Sequence, residues 1–367
     1  MVRIENLVVD SMERRVLYNP LMNSQPGQPL ISIVIPNYNG ASYLEVCLQS
    51  LLQQTYSKME ILVVDNASQD SSLEVIRRIA GEARILPLPD NSGFAAAVNH
   101  GVAAASGEWI AVLNNDTEAA PDWLAECAAA IGRHPDAAFL ACRILDYKQR
   151  DHIYSAGDCF LRAGIGYRRG QDRKDGEEYR RETRIFSACG CAALFRTGAL
   201  KAAYGFDGEF FAYLEDVELG LRMQAAGAQG YYIPDAVVYH IGAATSGGEF
   251  APMVVRLRTR NAILLVLQGL PGRILWRCLP MILAAQLVWL GRVLVHRRFL
   301  SYLRGIAAIV PLAPERIRYR IGVRRVWGKS SKRLWHAILE SEAMARSDFS
   351  RGQISTSRFL TWYFRLF

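Results

Sequence analysis

The stretch Trp109-Ile-Ala-Val-Leu-Asn-Asn-Asp-Thr117 decides how this chain folds. Ile110 to Leu113 form an apolar run of the kind expected in a strand buried on both faces, and the polar residues Asn114, Asn115 and Asp116 begin where that strand must end. Upstream the same pattern recurs. Ile31–Ile35 is a short apolar run closed by Pro36, Ile61–Val64 is another that ends at Asp65, and Ala83–Leu88 is a third. Helical spacing fills the intervals: Leu44, Cys47, Leu48, Leu51 and Leu52 fall on one face between residues 41 and 54, and Leu73, Ile76 and Ile79 share a side after Asp70. An Ala-rich helix is expected over Phe94–Ala105. Downstream, Pro121 suits the first turn of another helix, and Ala137–Ala141 predicts a fifth strand.

Strands and helices that alternate in this way predict an α/β fold with a mostly parallel central sheet flanked by helices. Ligands of such sheets bind beyond the carboxyl ends of the strands. The first strand leads into Pro36-Asn-Tyr-Asn-Gly40, with neither a Gly-x-Gly-x-x-Gly fingerprint nor a Walker A loop, which argues against dehydrogenase and P-loop chemistry. A nucleotidyltransferase would open with a Gly-rich loop and a basic residue, again unlike this turn.

The 367 residues divide sharply by charge. Residues 1–250 carry 22 Lys and Arg against 31 Asp and Glu, whereas residues 251–367 carry 21 against 4. A basic tail of this kind suits an anionic surface, and Leu279 to Val295 is too apolar for a nucleic-acid arm, so lipid is the expected partner and nucleic acid is not. The apolar stretch is interrupted by Pro280, Gln286 and Arg292 and reads as short for a span. Helices lying in the interface, flanked by Arg273, Arg277, Arg297, Arg298 and Arg304, account for its length and charge; a single span or a homodimer interface are the alternatives. The seven cysteines show no zinc-ligand spacing and read as thiols of a reducing compartment. Met1-Val-Arg-Ile-Glu-Asn6 lacks an apolar signal core, so the expected location is cytoplasmic, peripheral on the inner face of the membrane. Residues 146–184, polar and densely charged, read as a long solvated excursion, either a plain surface loop or a substrate-binding one.

In order and spacing, the motifs Ile-Pro-Asn-Tyr-Asn39, Val-Val-Asp-Asn-Ala-Ser68 with Asp70, Asn91-Ser-Gly-Phe94, Leu-Asn-Asn-Asp-Thr117, Gly205-Phe-Asp207 and Tyr-Leu-Glu-Asp216 resemble those of inverting family 2 glycosyltransferases with a GT-A fold, especially bacterial rhamnosyltransferase-like members. The resemblance runs from about residue 30 to 262. It implies a leader over residues 1–28, a GT-A catalytic domain over 29–262, and a helical membrane-associating or dimerising region over 263–367.

The same resemblance implies roles. Asp65 would hold a pyrimidine base in a pocket lined by Pro36 and Tyr38, while Asn91, Gly93, Phe94 and Asn115 would follow the nucleotide and its sugar. Asp116 stands for the last residue of an Asp-x-Asp-like motif whose first position here is Asn114; with His240 it would ligate Mg²⁺ or Mn²⁺ against the leaving diphosphate. Asp216 would be the general base, with Glu215 beside it, and Gly190, Cys191 and Arg222 would lie at the acceptor. The activity implied is a metal-dependent, inverting, hexosyltransferase-type transfer of a single sugar, rhamnose first among candidates. The donor would be a UDP- or dTDP-sugar and the acceptor a saccharide or lipid-linked saccharide of the cell envelope. A processive synthase would add a Gln-x-x-Arg-Trp motif and several spans. The alternative from another class is a catalytically silent nucleotide- or glycan-binding scaffold, which predicts decayed carboxylates, yet Asp65, Asp116 and Asp216 are intact.

Overall fold

The computed structural model describes residues 28–242, 248–316, 331–351 and 358–366. The expected leader therefore lies almost wholly outside the described residues, as does part of the basic tail. Four strands build the parallel half of the sheet: β1 (Ile31–Asn37), β2 (Met59–Asp65), β3 (Arg84–Pro87) and β4 (Trp109–Leu113). β1 is central, pairing in parallel with β2 on one side and β4 on the other. Ile31, Ile33 and Ile35 pack toward one layer of helices and Val34 toward the other, so the strand is apolar at almost every position. One layer is α1 (Ala41–Leu52), α2 (Ser72–Ile79) and, after a short β5 (Thr117–Ala119), α4 (Trp123–Arg133). The opposite layer begins with α3 (Phe94–Ala104). The helix expected at Pro121 starts two residues later, with Asp122 at its N-cap position.

The sheet is mixed rather than mostly parallel. β12 (Ala192–Arg196) runs antiparallel between β4 and β6 (Ala137–Asp146), and β6 pairs in parallel with β13 (Gln229–His240). β6 runs ten residues, well past the expected end at Ala141. This wedge places the end of β4 beside the start of β12, and the end of β13 beside β5.

Residues 146–184 are not a solvated excursion. They form β7 (His152–Ser155), a β8–β9 hairpin (Asp158–Leu161 and Ile165–Arg168), β10 (Arg173–Lys174) and β11 (Thr183–Arg184). The charges fooled the composition because Ile153, Cys159, Phe160, Leu161 and Tyr179 are buried, while the arginines among them lie over rings and carboxylates. Beyond β12 come α5 (Thr197–Ala202) and α6 (Glu215–Ala226).

The tail is helical: α7 (Pro252–Gly269), α8 (Gly272–Val295), α9 (Phe299–Ala307), α10 (Ser331–Arg351) and α11 (Arg358–Leu366). α8 runs 24 residues straight through Pro280 with a mean hydropathy of 1.8 over its most apolar window. By length and composition it could cross a membrane, and it is longer than the apolar stretch Leu279 to Val295 read from the sequence. Its Trp276, Leu283, Leu287 and Val295 are exposed. α10 buries Leu334, Ile338 and Ala345 in the same apolar cluster as the β8–β9 hairpin.

Candidate active site

The site is assembled at the carboxyl ends of β1, β2 and β4, where three loops meet through side-chain amides. Asn37 ends β1: its Nδ2 donates to Asp65 Oδ1 at 3.2 Å and to Ser68 Oγ at 3.1 Å, and its Oδ1 accepts from Asn115 Nδ2 at 2.7 Å. One amide thus ties the candidate base-binding carboxylate to the candidate metal loop. Asp65 also accepts from the backbone of Ser68, closing the turn after β2. Gly40 lets these groups meet, since a Cβ there would overlap both Asn37 and Asn115. Pro36 is partly buried at the last turns of β1, and Tyr38 is 39% exposed beside it.

A second amide does the same for the segment that follows β3. Asn66 donates to Asn91 Oδ1 at 3.0 Å and to the Gly93 carbonyl at 3.2 Å, and accepts from the Ser92 backbone at 2.9 Å. Gly93 has φ 86°, and an added Cβ would lie 2.5 Å from the Phe211 ring. Glycine is needed twice over at that position. Phe94, opening α3, packs edge-on with Phe206, and a Cβ added at Gly190 would come within 3.3 Å of its ring.

Asp116 and His240 are brought together because β5 pairs with the end of β13. Thr117 is opposite His240, and the Ile241 backbone donates to the Asp116 carbonyl at 2.9 Å. His240 Nε2 is 3.3 Å from Asp116 Oδ1, and both side chains are buried. His240 Nδ1 and Asn114 Oδ1 are buried without a hydrogen-bond partner among the described residues. Burying such groups unpaired costs on the order of 1–3 kcal/mol each. A carboxylate, an imidazole and an amide oxygen fit the chemistry of Mg²⁺ or Mn²⁺.

The base candidate is held by backbone. Asp216 Oδ2 accepts from the Gly190 amide at 3.0 Å and Oδ1 from the Val217 amide at 2.8 Å, while the Cys191 carbonyl accepts from Asn114. A chain of hydrogen bonds therefore runs from the β4 loop through Cys191 and Gly190 to Asp216. Cys191 itself is buried, and burial pushes its thiol well above the usual range. Glu215 is buried with its Oε2 unpaired among the described residues; burial first, then the Asp216 charge, pushes its carboxyl up to about 8.

Two residues of the hairpin join them. Asp158 is buried, and its carboxyl, the Cys189 thiol and the Asp216 carboxylate present atoms within 4.8 Å of one another. Burial, then Asp216, raises the Asp158 carboxyl to about 7. Arg168 lies 4.2 Å over the Tyr154 ring; burial works against its charge, but Tyr154, Cys189, Asp158 and Asp216 together hold it raised. Sequence reasoning missed both, having read their segment as solvent-facing. It also missed Asn261, whose Nδ2 donates to the carbonyls of Phe210, Ala212 and Tyr213 at 2.8 Å each. That clamp holds a loop in which Phe211, Tyr213 and Leu214 all have positive φ, just ahead of Glu215. Strain of this kind persists only where the surroundings enforce it.

Arg222 is engaged in bonds to its own helix and the turn before it. Its guanidinium pairs with Glu218 at 2.6 Å and donates to the carbonyls of Ala203 and Gly205, the latter at 2.8 Å. The i, i+4 spacing on α6 and a turn rich in carbonyls explain its commitment to structure.

Residues 32–203 match the profile of Glycosyl transferase family 2. The chain is 28% identical over 247 residues to the N-acetylglucosaminyl-diphospho-decaprenol L-rhamnosyltransferase of Mycobacterium tuberculosis, covering 60% of this chain and 78% of that protein. It is 36% identical over 132 residues to the hyaluronan synthase of Pasteurella multocida, covering 34% and 14% respectively. An uncharacterized protein y4gI of Sinorhizobium fredii is 31% identical over 239 residues, 62% of this chain and 26% of that one. The chain thus spans about a quarter or less of these last two relatives. Among solved structures, S. aureus TarS 1–349 in complex with UDP-GlcNAc superposes with a TM-score of 0.53 at 16% identity, over 86% of this chain and 91% of that one. GalNAc-T7 with UDP, GalNAc and Mn²⁺ gives 0.52 at 18%, over 64% and 48%.

Proposed function

Because the chain is a family 2 glycosyltransferase, we propose that it transfers a single sugar, with inversion, from a UDP- or dTDP-sugar to a saccharide acceptor carried on a lipid at the inner face of the cell membrane. The observation that carries this reading is the backbone-held Asp216, linked by hydrogen bonds through Gly190 and Cys191 to the loop bearing Asp116. Rhamnose is the first candidate sugar, a choice supported by the mycobacterial relative's activity.

In this mechanism the acceptor hydroxyl oxygen attacks the anomeric carbon as the bond to the diphosphate breaks. The nucleoside diphosphate leaves with the bonding electrons, and the configuration at carbon inverts. Asp216 takes the hydroxyl proton, its two oxygens fixed by the Gly190 and Val217 amides so that the carboxylate is pre-aimed. Glu215 contacts the acceptor from beside it. Asp65, Pro36 and Tyr38 receive the base, and Asn91, Gly93 and Phe94 line the sugar's approach. Asp116 and His240 would hold Mg²⁺ or Mn²⁺, which when bound supplies positive charge against the departing diphosphate. The exposed apolar face of α8 and the excess of arginine in the tail support a peripheral membrane location.

Calorimetric titration with UDP, dTDP and GDP, with and without Mn²⁺, tests the donor assignment in the wild type and in Asp116→Ala. Metal-dependent binding of a pyrimidine nucleotide, weakened at least tenfold in the variant, is expected. Binding indifferent to metal and to Asp116 overturns the metal assignment, and preference for GDP overturns the donor class.

A further inference from the structure

Beside the catalytic loop lies a cavity of about 320 Å³ lined by Phe211, Met253, Leu257, Arg256, Arg260 and Arg304. Arg256 and Arg260 belong to α7, and Arg304 comes from α9, which can lie so close because a Cβ at Gly305 would meet the Arg256 carbonyl at 2.7 Å. Three arginines therefore line one hollow. None of the three forms an ion pair among the described residues. Arg260 donates only to oxygens of neutral groups, the carbonyls of Glu209 and Phe210 and the side chain of Asn261. Burial lowers its pKa most; the Glu209 and Asp207 carboxylates raise it, and the charges of Arg256 and Arg316 lower it. Like charges held together in this way are unfavourable until an anion joins them.

The neighbourhood says which anion. Leu300, Leu303 and Arg304 follow i, i+3, i+4 spacing and share a face of α9, and both leucines are exposed together with Phe299. The apolar exposed face thus begins at the cationic hollow. On the inner side, Phe211 is the partition: its ring packs at Gly93 on the donor segment and its carbonyl accepts from Ala95 at 3.2 Å. The same loop reaches Asp216 five residues later.

We propose that this cavity binds the diphosphate of an isoprenoid-linked acceptor, with Arg256, Arg260 and Arg304 on the phosphates and the lipid chain leaving over Leu300 and Leu303. The inference rests on the acceptor reading above and assigns that acceptor a site distinct from the donor's. An ammonium-free, planar donor set of this type matches phosphate oxygens well. The apolar wall explains why a free anion alone is not the intended ligand.

The test is equilibrium binding of farnesyl diphosphate to the full chain with the donor site saturated by UDP and Mn²⁺, comparing the wild type with Arg256→Gln/Arg304→Gln. Both arginines are exposed, and UDP binding by the same protein reports that the variant is folded. The expected result is that the wild type prefers farnesyl diphosphate at least tenfold over both inorganic pyrophosphate and farnesol, and that the variant loses at least tenfold of that affinity with UDP binding unchanged. Equal affinity for pyrophosphate would make this a free-anion site and overturn the proposal. Affinity for farnesyl diphosphate unaltered by the substitutions, or absent from the wild type, would also overturn it. Loss confined to vesicles of phosphatidylglycerol would reassign the arginines to general membrane adsorption. Failure of UDP binding in the wild type, with farnesyl diphosphate still bound, would instead sink the donor reading and leave this site standing.

Discussion

Asp158 and Asp216 present their carboxyl oxygens within 4.8 Å of each other, one delivered by the β8–β9 hairpin and the other by the first turn of α6. The contact is stitched by backbone: Asp158 and Ser187 exchange amide-to-carbonyl bonds at 3.0 and 3.1 Å, and Ser187 Oγ donates to the Asp216 carbonyl. A buried carboxyl next to a carboxylate resists ionisation, because burial and the like charge act in the same direction.

That pairing makes stability depend on pH with a definite sign. Asp158 is raised from an ordinary 3.8 to about 7, so between those values the folded protein keeps a proton the unfolded chain has released. Stability is therefore full at the acid end of this window and falls as pH rises through it. Each pH unit over which the two states differ by one proton is worth about 1.4 kcal/mol, which puts the loss at roughly a few kcal/mol. Asp158→Asn should flatten the decline in Tm between pH 5 and 8 while leaving UDP affinity unchanged. An undiminished decline in the variant would locate the sensitivity elsewhere, with Glu215 the next candidate.

Asp216→Asn keeps the size of the side chain and removes its ability to take a proton. The turnover number should fall by about 10²- to 10⁴-fold, the usual contribution of a positioned base. UDP affinity should change little, because Asp216 bonds to Gly190 and Val217 and not to the Asn37–Asp65 cluster. Glu215→Gln should cost less in turnover and raise the acceptor KM instead. Steady-state kinetics alongside calorimetry separates the two, and a variant at Asp216 with full turnover would remove it from the mechanism.

Gly40 offers a test of the amide network without touching a charged group. A methyl there must displace Asn37 and Asn115, the two residues that join the Asp65 turn to the Asp116 loop. Gly40→Ala should weaken nucleotide binding at least tenfold and destabilise the fold by about 1–3 kcal/mol, as overpacking does. Gly132→Ala is the matched control, since nothing lies within 4 Å of its added Cβ. Equal behaviour of the two variants in UDP titration would show that the network is dispensable.

What could be read from the sequence follows the range of the forces involved. Asp65 ends one strand and Asp116 follows another by three residues, and the apolar runs of both strands are self-evident, so local pattern alone places them at the carboxyl edge of the sheet. His240 was legible as a strand end, but its proximity to Asp116 depends on β5 pairing with β13, a contact no spacing encodes. Asp158 and Arg168 were hidden for the same reason. Their segment is polar in composition, and it is ordered because Phe160, Leu161 and Tyr179 find partners on distant helices. Asn261 stood in view within Arg256-Leu-Arg-Thr-Arg-Asn261, but its three carbonyl partners lie about fifty residues earlier. The Glu218–Arg222 pair was legible from its i, i+4 spacing along α6, whereas the carbonyls of Ala203 and Gly205 that Arg222 also reaches were not.

A long-range tie joins α10 to the hairpin that carries Asp158. Glu342 is buried and accepts from the Arg162 backbone at 2.8 Å, from its guanidinium at 2.6 and 3.0 Å, and from Tyr363 Oη at 2.8 Å. Six residues along the helix, Asp348 accepts from Tyr167 Oη at 2.6 Å, Tyr179 Oη at 2.7 Å and the Gly170 amide at 3.0 Å. Removing one partner of such a pair strands the other, at about 3–5 kcal/mol, whereas replacing both by apolar groups can be nearly neutral. Glu342→Ala should therefore lower Tm sharply and reduce turnover, because the hairpin positions Asp158 against the base. UDP affinity, set on the far side of β4, should survive. Arg162→Met/Glu342→Met should recover part of the Tm lost in Glu342→Ala, because the stranded guanidinium is gone while the Arg162 amide and the Tyr363 hydroxyl stay unpaired, and with it part of the turnover, if the helix acts by holding the hairpin in place. Recovery of Tm without turnover would mean instead that the Arg162–Glu342 charges themselves contribute to the active site.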